Sequence, residues 1–458
     1  MAHVPHEVDA VVIGMGVGGE HAAERLAEEG LDVVGVEAEL VGGECPYWAC
    51  IPSKMMIRAG NLLAEARRVP GMAGDVQVAA SFAPVADRIR EDATDDWNDQ
   101  VAVDRFTRKG GNFVRGRARL AGPGRVETDG QAFSVRRAVV LATGSRPQIP
   151  PVPGLEATPY WTNRQAVSVK EPPASLLVLG GGAIGVELAQ AFARFGTAVT
   201  IVEAMERLLP GEEPEIGALL AGVLEEEGIT VRTGARATGV AHADDAFRLT
   251  LEGGQEITGQ HLLMATGRRP HLAGLGLESV GLDPQARALA VDGQMRAAPG
   301  VWGVGDVTGQ GLFTHVAMYQ AEIAVRDILG RPGPDADYRA TPRVTFTDPE
   351  VGSVGLTEHA AREQGLRVRT GTARVPSSAR GWIHKAGNDG LIKLVEDADP
   401  GILIGATSAG PAGGEVLYGL AVAIQMEIPV DRLRHMMFAY PTFHRAVEDA
   451  LADLGHGD

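Results

Sequence analysis

Two glycine-rich turns, each set between a short apolar run and a helical stretch, predict an α/β protein built on two successive nucleotide-binding βαβ units. A last region without such a turn alternates β-rich and helical stretches and predicts an α+β domain. The first unit runs from an apolar stretch over 9–13 into Gly14-Met15-Gly16-Val17-Gly18-Gly19. A helical pattern over 20–29 follows, then a second run over 31–36 that ends in the acid Glu37. The second repeats the grammar: an apolar run over 175–179, the turn Gly180-Gly181-Gly182-Ala183-Ile184-Gly185, a helix over 186–195, a strand over 198–202 and Glu203. Each later closes on the same tripeptide, Ala142-Thr143-Gly144 and Ala265-Thr266-Gly267.

Proline-containing seams over 147–159, 269–282 and 331–342 divide the chain. We expect a first nucleotide-binding domain over 1–150, a second over 151–270 and a return to the first over 271–335, through Val301-Trp302-Gly303-Val304-Gly305-Asp306. An interface domain over 336–458 follows, with β-rich stretches over 351–356, 391–396 and 401–406 and helices over 415–426 and 444–454.

A lone G-x-G-x-x-G is weak. Here each turn follows a strand, opens a helix and precedes an acid about 20 residues on, the placement a Rossmann-like dinucleotide site requires. Glycines allow the tight turn and close approach of a pyrophosphate, and the acid accepts from ribose hydroxyls. A carboxylate at Glu203 repels a 2′-phosphate, which favours NADH over NADPH, although Arg207 follows closely.

The chain of 458 residues is 45% hydrophobic with 60 glycines, as a globular protein of roughly three domains should be. Its net charge of −17 is spread along the sequence and argues against binding nucleic acid or anionic membranes. No stretch is apolar enough to span a bilayer, and residues 1–9, with two histidines and two acids, lack the core of a secretory leader. A cytoplasmic protein is expected. No metal-ligand cluster stands out. The two cysteines, Cys45 and Cys50, sit together in Glu44-Cys45-Pro46-Tyr47-Trp48-Ala49-Cys50-Ile51-Pro52-Ser53-Lys54, which points to redox chemistry rather than a structural framework. Five residues of ideal helix separate two positions by about 7.5 Å along the axis, too far for a disulfide, so the segment must bend. A helix beginning near Pro52, with Lys54 beside it, would lower thiol pKa values and favour a reactive pair.

In this order the motifs resemble the class I pyridine nucleotide–disulfide oxidoreductases, the family of dihydrolipoamide dehydrogenase, glutathione reductase and mercuric reductase. The resemblance covers the whole chain. It implies two Rossmann-like domains, for FAD and NAD(P), and a C-terminal α+β dimerisation domain, hence a homodimer. FAD contacts are implied at Gly14, Gly16, Gly18, Gly19, Glu37, Ala38, Gly42, Gly43, Lys54, Ala118, Ala142, Thr143, Gly144, Gly305, Asp306, Thr314, His315 and Ala317. NAD(P) contacts are implied at Gly180, Gly182, Ala183, Ile184, Gly185, Glu203 and Gly267. Cys50 would exchange electrons with the flavin and Cys45 with an outside substrate, a small-molecule acceptor. Lys54 would pair with Glu187 near the flavin. The stretch Asp348-Pro349-Glu350-Val351-Gly352 resembles the opening of the family's dimerisation domain.

One segment departs. The family's acid/base is a histidine in His-Pro-Thr near the C-terminus, assisted by a glutamate and supplied by the partner subunit. Here Tyr440-Pro441-Thr442 puts tyrosine at that place and Arg445 at the glutamate's. Tyrosine titrates near ~10 whereas histidine titrates near neutrality, so exchange with dihydrolipoamide or glutathione disulfide should be impaired. His444 either substitutes for the missing base or is a surface histidine. Tyr47 and Trp48 either pack against the flavin domain or shape an aromatic pocket. No C-terminal cysteine pair exists, which argues against mercury reduction. The implied activity is transfer of electrons from NAD(P)H through FAD to Cys45–Cys50 and on to a non-standard acceptor. Alternatives are a quinone or metal reductase that bypasses the pair, and a non-catalytic redox sensor.

Overall fold

A computed structural model describes residues 5–455; residues 1–4, part of the stretch read as lacking a leader, and 456–458 lie outside it. The chain forms two compact units. The first comprises 1–52, 86–148 and 267–337, and the second 53–85, 149–266 and 338–458.

The first unit is built on a parallel sheet in the order Val301–Gly303, Ala132–Leu141, His6–Ile13, Val33–Glu37, Asn112–Arg115, with Arg296–Ala298 antiparallel at one edge. Its central strands are apolar on both faces because both are covered, one by helices Val17–Glu28, Gln100–Arg108 and Thr314–Ile328, the other by the antiparallel strands Ala118–Leu120 and Arg125–Thr128 and by Leu272, Leu275, Leu277 and Leu289. Val8, Val11 and Ile13 enter one buried cluster, Ala10 and Val12 another. The chain leaves His6–Ile13 toward Val33–Glu37 on one side and later adds Ala132–Leu141 on the other. That reversal opens a crevice at the carboxyl ends of the strands, where such sheets bind ligands. Helix Val17–Glu28 packs through small residues: a Cβ on Gly18 would meet Ala317 of helix Thr314–Ile328 at 3.1 Å.

The second unit holds a parallel sheet in the order Thr230–Arg232, Ala198–Val202, Ser175–Leu179, His261–Met264, with the same reversal at its central strand. An antiparallel meander, Ala237–Ala243, Ala246–Leu251 and Glu256–Gly259, accompanies it. The C-terminal region adds a five-stranded antiparallel sheet in the order Pro342–Thr345, Glu350–Gly355, Ile402–Gly410, Leu391–Asp397, Val368–Arg374. Helices Gly413–Gln425 and Ala446–Asp453 bury their apolar faces on it.

Several expected boundaries shift, among them the start of the second motif helix, at Ala183 rather than residue 186. The first motif helix begins at Val17 rather than residue 20, because the turn's last glycines already have helical geometry. The terminal helix begins at Ala446, after a single 3-10 turn Phe443–Arg445. The helix expected near Pro52 begins at Cys50, since a proline in a first turn removes only an N–H that has no intrahelical partner.

Candidate functional site

Both glycine turns are built alike. Gly14 at φ 91° and Gly180 at φ 113° adopt left-handed geometry, and a Cβ on either would strike the carbonyl oxygen of Ala142 or Ala265. A Cβ on Gly19 or Gly185 would strike the carbonyl of Gly14 or Gly180, so these glycines let helix and strand close together. Neither helix has a side-chain cap at Gly16 or Gly182, which leaves first-turn N–H groups for an anion. Nothing lies within 4 Å of a Cβ placed on Gly182. A pyrophosphate fits both turns.

The acids repeat as well. Glu37 accepts from the N–H of Met15 (2.7 Å) and of Glu39 (2.7 Å). Glu203 accepts from the N–H of Gly181 (2.6 Å) and of Met205 (2.7 Å). In each case one carboxylate joins the second residue of the turn to a residue two places beyond itself. Burial pushes the Glu37 carboxyl above its ordinary range, opposed by those two N–H groups.

The first unit gathers the remaining flavin-type residues. Gly42 and Gly43 lie against Gly16, with a bridge between Gly16 and Gly42. Gly305, at φ 79°, donates to buried Gln320 (2.7 Å) and lies beside Ala317. Thr143 donates to the His271 carbonyl (2.7 Å). Asp306 accepts from the Ser145 hydroxyl (2.5 Å), and Arg268 donates to the Ser145 hydroxyl (2.8 Å) and carbonyl (2.9 Å). Burial raises the Asp306 carboxyl, the Ser145 bond and Arg268 charge oppose this, and Glu44 adds to it. Arg268 also reaches the Glu44 carboxylate at 3.5 Å. Ala38 and His315 are exposed, Gly144 is half-buried at φ 67°, and Ala118 opens a short edge strand opposite Thr128.

Cys45 sits in a single helical turn, Glu44–Tyr47, that breaks at Trp48; Cys50 then opens helix Cys50–Arg68. The bend that the spacing demands is therefore present. Both cysteines are half-buried, and Cys50 Sγ lies 3.6 Å from Thr314 Oγ1 at the start of helix Thr314–Ile328. Tyr47 is buried and Trp48 stacks on Trp97, so these aromatics pack within this unit.

In the second unit Lys54 donates to Glu187 at 2.8 Å, and Glu187 also accepts from the Phe346 N–H (2.8 Å). The Lys54 ammonium lies over the Phe346 ring at 4.7 Å. Glu187 is buried on helix Ala183–Arg194, so its carboxylate answers a cation rather than solvent. Ala183 is exposed and Ile184 half-buried at the helix start. Gly267 belongs to the first unit, where its carbonyl accepts from the Gln148 N–H (2.9 Å). Tyr440 is 71% exposed, joined to Pro441 by a cis bond, and His444 is exposed. Arg445 lies over the Tyr440 ring at 5.6 Å and pairs with Glu448 at 2.5 Å.

Sequence reasoning missed Ser145, Arg268, Gln320, Trp97 and Phe346. Ser145 and Arg268 had a signal: each directly follows one of the two Ala-Thr-Gly tripeptides, and their strands pair as a short ladder. Among the described residues no helix is long and apolar enough to cross a membrane, and no group of His, Cys, Asp or Glu could hold a metal ion.

Two duplicated dinucleotide clefts and a cysteine pair at a helix start define a nucleotide-linked redox enzyme of two dinucleotides. The chain belongs to the pyridine nucleotide-disulphide oxidoreductase family: the family model matches residues 8–321 and its dimerisation domain residues 341–451. A dihydrolipoyl dehydrogenase of Thermus scotoductus is 36% identical, over 97% of this chain and 97% of its own. A mercuric reductase of Streptomyces lividans is 34% identical, over 96% and 94%. Among solved structures, LpdA from Mycobacterium tuberculosis superposes with TM-score 0.85 at 27% identity, covering 98% of this chain and all of that one. The HOCl-induced flavoprotein disulfide reductase RclA from Escherichia coli does so with TM-score 0.84 at 26% identity, covering 97% and 99%. The chain is thus an FAD-dependent oxidoreductase that uses a pyridine nucleotide, with two Rossmann-like domains and an α+β dimerisation domain.

Proposed function

We propose that this enzyme takes electrons from NADH and delivers them through the Cys45–Cys50 pair to a small-molecule acceptor other than dihydrolipoamide or glutathione disulfide. The observation that carries the reading is the placement of Cys50 at the first residue of its helix, 3.6 Å from Thr314, with Cys45 one broken turn before it. Bound FAD supplies two-electron transfer between the nicotinamide and the disulfide. The chain's own residues hold and tune it: the turn from Gly14 to Gly19 and Glu37 grip the adenosine and pyrophosphate side, Asp306 the ribityl chain. Lys54, paired with Glu187 at 2.8 Å, would offer its ammonium N–H groups to the flavin as donors. A helix start favours thiolate over thiol, which suits Cys50 to face the flavin and leaves Cys45 for the acceptor. Tyr440, in the place where relatives of the lipoamide and glutathione type carry a histidine, supports an acceptor that needs no such base.

Replacement of Cys45 by serine tests the route. NADH should still reduce the flavin in stopped flow, while acceptor turnover falls by about 10³-fold or more, as removal of a nucleophile does. Unchanged acceptor turnover would move the exit for electrons from the cysteines to the flavin, as in a quinone or metal reductase.

NADH is favoured because Glu203 fills the ribose side with negative charge while Arg207, the one nearby cation in the sequence, donates to the Pro210 carbonyl (2.9 Å). Glu203→Gln keeps an acceptor for the Met205 or Gly181 N–H and removes the charge. It should shift the NADPH-to-NADH ratio of kcat/KM toward NADPH by about tenfold. A ratio that does not move would assign the preference elsewhere.

A homodimer is part of the proposal. Helix Gly413–Gln425 leaves Tyr418 and Val422 exposed on its outer face, and Met426, Met437 and Trp382 are exposed in the same domain, an apolar surface suited to a second copy.

A further inference from the structure

Between the π-helical turn Ile89–Ala93 and helix Gln100–Arg108, three consecutive residues other than glycine, Asp95, Asp96 and Trp97, stand at φ 47°, 54° and 57°. Side chains with a Cβ rarely take that conformation, and a run of three persists only where neighbours hold it. Here they do. Asp96 donates its N–H to the Arg90 carbonyl (2.7 Å), Trp97 to the Thr94 hydroxyl (3.3 Å), and Asn98 to the Thr94 carbonyl (3.0 Å). Beyond the run, Asp99 accepts from the Val41 N–H (2.6 Å) and from Arg115 (2.5 Å).

What this segment presents is the Trp97 side chain. Its ring stacks on Trp48 with centroids 5.4 Å apart and planes 22° off parallel, and its Nε1–H donates to the Tyr47 carbonyl (3.3 Å). Tyr47 and Trp48 are two of the four residues between the cysteines. One side chain from a strained turn therefore fixes half of the segment that joins the two sulfurs. Nothing in nucleotide binding calls for that contact.

We infer that Trp97 is a positioning residue for the Cys45–Cys50 couple. It presets the intervening segment so that the dithiol closes to the disulfide with little loss of chain freedom. The inference rests on the reading that this pair cycles between dithiol and disulfide. Closure forms the Cys45–Cys50 bond and releases two electrons and two protons; in a glutathione buffer these convert one glutathione disulfide to two glutathiones. A segment freed from Trp97 has more conformations to lose on closure, so the dithiol is favoured and the midpoint becomes less negative.

The test equilibrates the holoenzyme in glutathione buffers of graded poise, quenches with acid, and alkylates. Modified thiols are counted by mass, and the chain has only these two cysteines to count. Trp97→Ala loses both the stack and the hydrogen bond and should shift the equilibrium about tenfold toward dithiol, about 30 mV in a two-electron couple. Trp97→Phe keeps a stacking ring and loses the donor, so it should shift less, by about threefold. A midpoint equal to wild type in Trp97→Phe, or in a folded Trp97→Ala, overturns the inference even if Cys45 and Cys50 cycle normally. A wild-type pair that never re-closes overturns the proposed function as well, and is recognised because it needs no variant.

Discussion

Tyr440→His combined with Arg445→Glu is expected to raise turnover with dihydrolipoamide by about 10²–10⁴-fold, the usual worth of one general acid/base. Thiol–disulfide exchange requires a proton to leave the attacking thiol and another to reach the departing one. A histidine does both near neutral pH, whereas a phenol holds its proton there. The site accepts the change: Tyr440 is 71% exposed, with Arg445 over its ring, so no packed core is disturbed. Arg445 also pairs with Glu448, three residues on, and a glutamate at 445 would face that carboxylate. At a surface this repulsion costs about 0.5 kcal/mol or less, far below the gain sought. Tyr440→His alone should recover less, because a catalytic imidazole needs a carboxylate to fix its tautomer and orientation. If the double variant gains nothing while NADH still reduces the Cys45–Cys50 pair, the absent base is not what excludes dihydrolipoamide.

That segment was legible as a departure because one tripeptide, Tyr440-Pro441-Thr442, stands in a recognisable frame. Legibility elsewhere followed the same logic. The two turns, Glu37, Glu203 and the Lys54–Glu187 pair answer to local spacing or to a strong family pattern, and the structure shows the turns and acids built to one plan. Features fixed by distant contacts were not readable. Trp97 lies 50 residues from Tyr47, and Asp95-Asp96-Trp97 carries no glycine to announce left-handed backbone. Such a run costs on the order of 1–3 kcal/mol per residue, which only its surroundings can offset. Strand Val368–Arg374 has no apolar run to mark it, because its sequence is largely polar. Its Gly371 is explained only by the fold, where a Cβ would meet the Ala450 carbonyl oxygen at 2.2 Å.

Lys393→Met should destabilise the protein by about 3–5 kcal/mol, as leaving one charge of a buried pair unmatched does. Lys393, 3% exposed on strand Leu391–Asp397, donates to Glu213 (3.0 Å), Glu215 (2.8 Å) and Glu358 (2.9 Å). Burial works against its charge, but the three carboxylates outweigh it and hold the ammonium above its ordinary range. Glu213 is itself 2% exposed, and without Lys393 it would keep, among the described residues, the Glu358 N–H as its donor. Glu213→Gln added to Lys393→Met should therefore restore most of the loss, since an amide still accepts that N–H and carries no charge. The pH dependence follows from the same contacts. A lysine raised above 10.5 contributes stability that is fully present below that pH and lost above it. Glu358, held below its ordinary 4.5 chiefly by the Lys393 bond, contributes stability that is present above 4.5 and lost as pH falls through its lowered value. The gap in urea midpoint between wild type and Lys393→Met should thus stay flat through the neutral range and narrow in acid. A gap that widened in acid, or a double variant no more stable than Lys393→Met, would show that the cluster does not hold the C-terminal domain in this way.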